Sequence, residues 1–135
     1  MTNAALDKQL VITVTNQVGT LAEITSVVAA SGINLIAMCA YAVDNRGVIM
    51  FVCDNNDLAK KLLQAKKYDV REEEVVLISV DNKPGALQSI SERISRAKID
   101  LNLLYGSVDK AGKTSRVVFI AEDNQAVLSV LKILK

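Results

Sequence analysis

Asp81-Asn82-Lys83-Pro84-Gly85-Ala86-Leu87 lies between an apolar run, Val75–Val80, and a segment with helical spacing. A near copy, Thr15-Asn16-Gln17-Val18-Gly19-Thr20-Leu21, follows the β-forming run of residues 10–15. The two stretches align at an offset of 66 residues, and the alignment extends outward. Ile12 meets Ile78, Ile24 meets Ile90, Ile33 meets Ile99 and Leu35 meets Leu101. Beyond a central turn the offset becomes 68, where Phe51 meets Phe119, Asn56 meets Asn124 and Leu63 meets Leu131. A turn absorbs two extra residues at little cost, so the chain reads as one unit written twice.

Each copy parses as β-α-β-β-α. In the first, residues 9–15 form a strand. Leu21, Ile24, Val27 and Val28 then recur at helical spacing, and Gly32 ends that helix. A strand over 33–43, a hairpin turn at 44–47 and a strand over 48–53 follow, then a helix from about Asn56-Asp57. The second copy repeats this with strands at 75–81, 99–108 and 114–121, helices at 85–97 and 124–134, and a turn at 110–113. Residues 67–72 leave room for a last strand in the first copy only. The expected architecture is α+β: two ferredoxin-like βαββαβ units, residues 1–73 and 74–135. Helices cover one face of antiparallel sheets, and the second unit lacks its last strand. The edge so exposed calls for a cover. Glu72-Glu73-Glu74 reads as a solvated connector.

Composition narrows the function. Sixteen basic and 15 acidic residues leave a formal charge of +1, no footprint for nucleic acid. Histidine is absent, which removes Ser-His-Asp and Cys-His catalysis and the commonest transition-metal ligand. The N-terminus shows no signal-peptide pattern, and no apolar run reaches membrane-span length. Cys39 and Cys53 read as free thiols of a cytoplasmic protein, small core residues more than a redox pair. Asp54, Asp57, Glu122 and Asp123 read as caps of the second helices, not as a metal site.

The loops remain as candidates for chemistry. Pro84 suits a helix's first turn, Gly85 lets backbone approach a guest, and Asn82 offers both donor and acceptor. The N–H groups of Ala86 and Leu87 carry the positive end of the helix dipole, where a carboxylate gains charge-assisted hydrogen bonds. Ordinary caps and turns are the plain alternative for both loops.

The doubled pattern strand–Asn-x-x-Gly-x-Leu–helix resembles the ACT domain, a family of small ligand-sensing modules, often for amino acids. The resemblance covers about residues 8–135; Val18 departs from it, standing where the motif usually has Pro. It implies ligand contacts from Asn16, Val18, Gly19, Thr20 and Leu21, and from Asn82, Pro84, Gly85, Ala86 and Leu87. It further implies Asn34, with Asp100 as a departure, at the strand entries of the opposite copy. Two clefts follow, residues 16–21 facing Asp100 and residues 82–87 facing Asn34. Pairing of like copies in a homodimer is the other arrangement. Asn34 and Asp100 read equally well as left-handed turn residues. The expected function is sensing of a small amino acid or related carboxylate, signalled to a separate partner such as an enzyme of amino-acid metabolism. No catalysis, cofactor, metal, nucleic acid or membrane is involved. A purely structural oligomerisation module with inactive sites is the alternative.

Overall fold

A computed structural model describes residues 3–15, 17–107 and 111–132. The elements in order are β1 (Asn3–Thr15), α1 (Thr20–Ala30), β2 (Leu35–Val43), β3 (Arg46–Cys53), α2 (Asn56–Ala65), β4 (Asp69–Asp81), α3 (Ala86–Arg96), β5 (Leu101–Ser107), β6 (Thr114–Ala121) and α4 (Asn124–Lys132). The strands form a six-stranded antiparallel sheet in the order β2-β3-β1-β4-β6-β5. The chain divides into two compact units, residues 8–73 and residues 1–7 with 74–135.

In the unit of residues 8–73, β1 pairs with β3 with Ile12 opposite Ile49, and β3 pairs with β2 with Met38 opposite Phe51. Alternation on these strands sends Leu10, Ile12, Ile49 and Phe51 to one face, where Ile24 and Val28 of α1 and Ala59 and Leu63 of α2 meet them. α1 is rich in β-branched residues, which are indifferent helix formers. Full burial of Ile24 and near-full burial of Val28 decides in favour of the helix. Gly32, at φ 72°, ends α1, and Lys67, at φ 68°, follows α2.

The other unit repeats the plan with β4, β6 and β5. Ile78 lies opposite Val117 and Leu104 opposite Phe119. Val76, Ile78, Val117 and Phe119 pack against Ile90 and Ile94 of α3 and Val127 and Leu131 of α4. Here the left-handed position after α3 falls to Lys98, at φ 59°, where the first copy has Gly32.

Three expectations are corrected. The second unit has its fourth strand: residues 3–7 group with it, and Ala4 and Leu6 pack on its core. The division 1–73 and 74–135 therefore misplaces the start of the chain. Glu72-Glu73-Glu74 is no solvated connector but lies within β4, where Glu72 pairs with Lys8 at 3.9 Å. β1 and β4 are thus each long enough to serve as last strand in one unit and first strand in the other.

Candidate functional site

Pro84 and Gly85 form a tight turn. Ala86 N donates to Lys83 O at 3.3 Å, closing a four-residue turn around Pro84 and Gly85. Gly85 sits at φ 86°, ψ −9°, the third position of a type II turn, which wants Pro before it and Gly in it. Pro84 therefore precedes the helix cap and does not occupy the first helical turn, which corrects the earlier placement. The first copy makes the same turn. Thr20 N donates to Gln17 O at 3.4 Å, and Gly19 lies at φ 93°, ψ −10°. Val18 takes Pro's place there, fully exposed.

Four helix starts divide into two kinds. Asn55 accepts from Leu58 N at 3.1 Å and caps α2; Asp123 accepts from Ala126 N at 3.0 Å and caps α4. α1 and α3 instead begin at Gly19 and Gly85, which bring no side-chain acceptor to the first-turn N–H groups. The side-chain nitrogen of Asn82 donates to Gly112 O at 3.0 Å, tying the loop to the turn before β6.

Each loop borders a hollow within its own unit. The first, about 630 Å³, is lined by Thr13, Thr15, Gln17, Val18, Gly19, Thr20, Glu23, Lys67, Tyr68 and Asp69, among others. Hydroxyl and carboxylate groups dominate it. Tyr68 donates its hydroxyl to Glu23 Oε1 at 2.7 Å. That bond, with some burial and the Glu23 charge, holds the phenol pKa above its ordinary 10.0. The second hollow, about 340 Å³, is lined by Val80, Asn82, Lys83, Ala86, Leu87, Leu104, Gly106, Arg116 and Val117, among others. Its walls are mainly apolar; Asp81 and Lys83, 4.0 Å apart, bring one charge of each sign, while Arg116 alternates with the core residue Val117 on β6 and so projects to the opposite face of the sheet.

Of the expected site residues, Val18, Gly19 and Thr20 line the first hollow, and Asn82, Ala86 and Leu87 line the second. Leu21 is half-exposed beside its loop, and Pro84 and Gly85 shape the turn without lining the hollow. Asn16 lies outside the described residues, as do residues 108, 110 and 133–134 of the expected elements. Asn34 and Asp100 stand apart, each separated from its own unit's loop by an 11-residue helix, roughly 16 Å long. Neither is left-handed; Gly32 and Lys98 take that role. Asn34 O accepts from Asp54 N at 3.1 Å, and Asp54 Oδ1 accepts from Asn34 N at 3.0 Å. Asp54 is therefore a tie to the start of β2, not a cap of α2. Asp100 O accepts from Glu122 N at 2.9 Å. Glu23, Tyr68, Gly106 and Arg116 were not singled out from the sequence. The 66-residue offset could have flagged Gly106 and Arg116, which replace Ala40 and (at offset 68) Val48.

Cys53 is buried and Cys39 half-buried, neither in a disulfide, and Cys53 Sγ donates to Asn56 Oδ1 at 3.0 Å. Among the described residues no cluster of three or more metal-ligating side chains occurs, and no helix is long and apolar enough to cross a membrane. Phe51 and Phe119 are fully buried in their cores, so neither presents a stacking surface for bases.

The fold has close solved counterparts. Protein BT0572 from Bacteroides thetaiotaomicron is 30% identical, with a TM-score of 0.88 over 96% of this chain and 88% of that one. The ligand-free regulatory subunit of aspartate kinase from Thermus thermophilus is 15% identical, with a TM-score of 0.69 over 96% of this chain and 94% of that one. The corresponding subunit from Thermus flavus is 15% identical, with a TM-score of 0.63 and coverage of 96% and 94%. No curated protein matches the chain. With its doubled βαββαβ plan, its paired glycine turns and a match to the profile described as ACT domain pair over residues 5–135, the chain belongs to the ACT domain pair family.

Proposed function

We propose that this chain is a ligand-binding regulatory protein, not an enzyme, which takes a small amino acid or related carboxylate at the loops opening α1 and α3. The contrast between helix starts carries this reading. The trailing helices are capped by Asn55 and Asp123, whereas the leading helices open on glycine beside a hollow. A carboxylate placed there would meet first-turn N–H groups and the positive end of the helix dipole. Asn16, Leu21, Asn34, Pro84, Gly85 and Asp100 remain candidate ligand residues with those lining the hollows. Binding would stiffen the loops, and a separate partner, such as an enzyme of amino-acid metabolism, would read the change. The likeness in fold to aspartate kinase regulatory subunits supports a regulatory role.

A homodimer in the cytoplasm fits the same picture. Tyr41 and Val43 on β2, and Leu101 on β5, are exposed apolar residues on the two outermost strands. Cysteines outside any disulfide suit a reducing compartment. A thermal-shift screen against the common amino acids tests the central reading. A ligand at a hundred times its dissociation constant adds about 2.7 kcal/mol of stability. If none raises the melting temperature, the purely structural alternative takes its place.

A further inference from the structure

The hollow beside α3 differs from a bare helix start in having a built apolar interior. Its floor is Val80 and Val117, 3% and 5% exposed. Its walls are Leu87 and Leu104, 41% and 43% exposed, among the few large apolar side chains left open to solvent. The volume of about 340 Å³ is near the bottom of the ~300–1,000 Å³ range of small-molecule sites. Gly106 keeps the space open. A Cβ there would come within 3.3 Å of Val117 Cγ2 and 3.2 Å of the Arg116 carbonyl oxygen. At the matching positions the first unit has Ala40 for Gly106, and Met38 packed against its core for Leu104.

We propose that this recess receives the side chain of an aliphatic α-amino acid, with Gly106 setting its size limit. The proposal rests on the reading of the α3 loop as a carboxylate site and adds the ligand class to it. An aliphatic chain would cover Leu87 and Leu104 and bury no charge on the Val80–Val117 floor. A lysine or aspartate side chain laid on the Val80–Val117 floor would bury its charge against apolar groups, at a desolvation cost that an aliphatic chain avoids. The carboxylate would stay at the polar side, toward the first-turn N–H groups and Lys83, whose ammonium also lies 4.0 Å from Asp81.

The test is calorimetric titration of the full chain with L-leucine, L-isoleucine and L-valine, set against L-lysine and L-aspartate. Methyl NMR on the same samples locates the binding. The aliphatic ligands should bind and shift the methyls of Leu87, Leu104 and Val117. Gly106→Val should weaken binding about ten- to hundredfold, the usual discrimination of an apolar pocket against a filled methylene space. Leu104→Asn, on an exposed position, should weaken it too and guards against a Gly106 variant that folds poorly. Binding of lysine or aspartate alone, or shifts confined to the first unit, would overturn the aliphatic assignment and leave the carboxylate reading standing. No binding by any amino acid would remove both.

Discussion

The two glycine turns share a backbone and differ in their surroundings. Gly19 and Gly85 agree within 7° in φ and 1° in ψ. Around Gly19 stand Thr13, Thr15, Thr20, Glu23 and Tyr68; around the α3 start stand Val80, Leu87, Leu104 and Val117. The framework elsewhere repeats closely. Asn56 donates to Lys8 O at 2.9 Å, and Asn124 donates to Glu74 O at 3.2 Å, positions matched across the two copies. Backbone demands are thus met in the same way twice, while the walls of the hollows have diverged. The difference teaches that a shared turn specifies where a carboxylate can sit, and the neighbouring side chains specify what may be attached to it.

Deleting residues 1–7 should give the largest effect, felt first in the unit they share with residues 74–135. Loss of the strand segment and of Leu6 and Ala4 packing should cost about 2–4 kcal/mol. Hydrogen exchange should accelerate in β6 and the 74–81 part of β4 before β2 and β3. Equal acceleration everywhere would deny that the segment belongs to the second unit. Gly19→Ala and Gly85→Ala should each cost about 1–2 kcal/mol, and equally, because a Cβ at either meets nothing within 4 Å and only the positive φ is penalised. Denaturant melts giving unequal losses would break the equivalence of the turns. Asn55→Ala and Asp123→Ala should each cost about 1 kcal/mol through the lost cap.

Tyr68→Phe should have the smallest effect, about 0.5 kcal/mol at neutral pH, since the bond to Glu23 is exposed. Its pH dependence has a definite sign. A folded-state pKa raised above the ordinary 10.0 means the stabilisation is fully present below that value. It is lost as pH rises through the higher folded value. Melting curves of the wild type and Tyr68→Phe should therefore converge in strong alkali; divergence would contradict the bond.

Much of the frame was legible from the sequence because period and repeat agree. Ile12, Ile24, Phe51 and Leu63 have exact counterparts in the second copy, and all are buried. The fourth strand of the second unit escaped because its partner comes from the far end of the chain. Ala4 and Leu6 alternate as a strand should, yet five residues with two partly buried apolar side chains carry little signal. Pro84 was placed inside the helix because Pro suits both a first helical turn and the second position of a type II turn; only φ at Gly85 separates them. The hollows were invisible for a related reason. Their walls come from strands and helices distant in sequence, and only the substitutions between copies, Gly106 for Ala40 above all, hinted at them.

A ¹⁵N amide titration of the full chain with L-leucine probes the first turn of α3 most directly. Large, saturable shifts at the amides of Leu87 and Gln88, with those of the self-capped α2 and α4 starts unmoved, are the predicted result. Amides of the α3 start that stay still under every amino acid tried would contradict it.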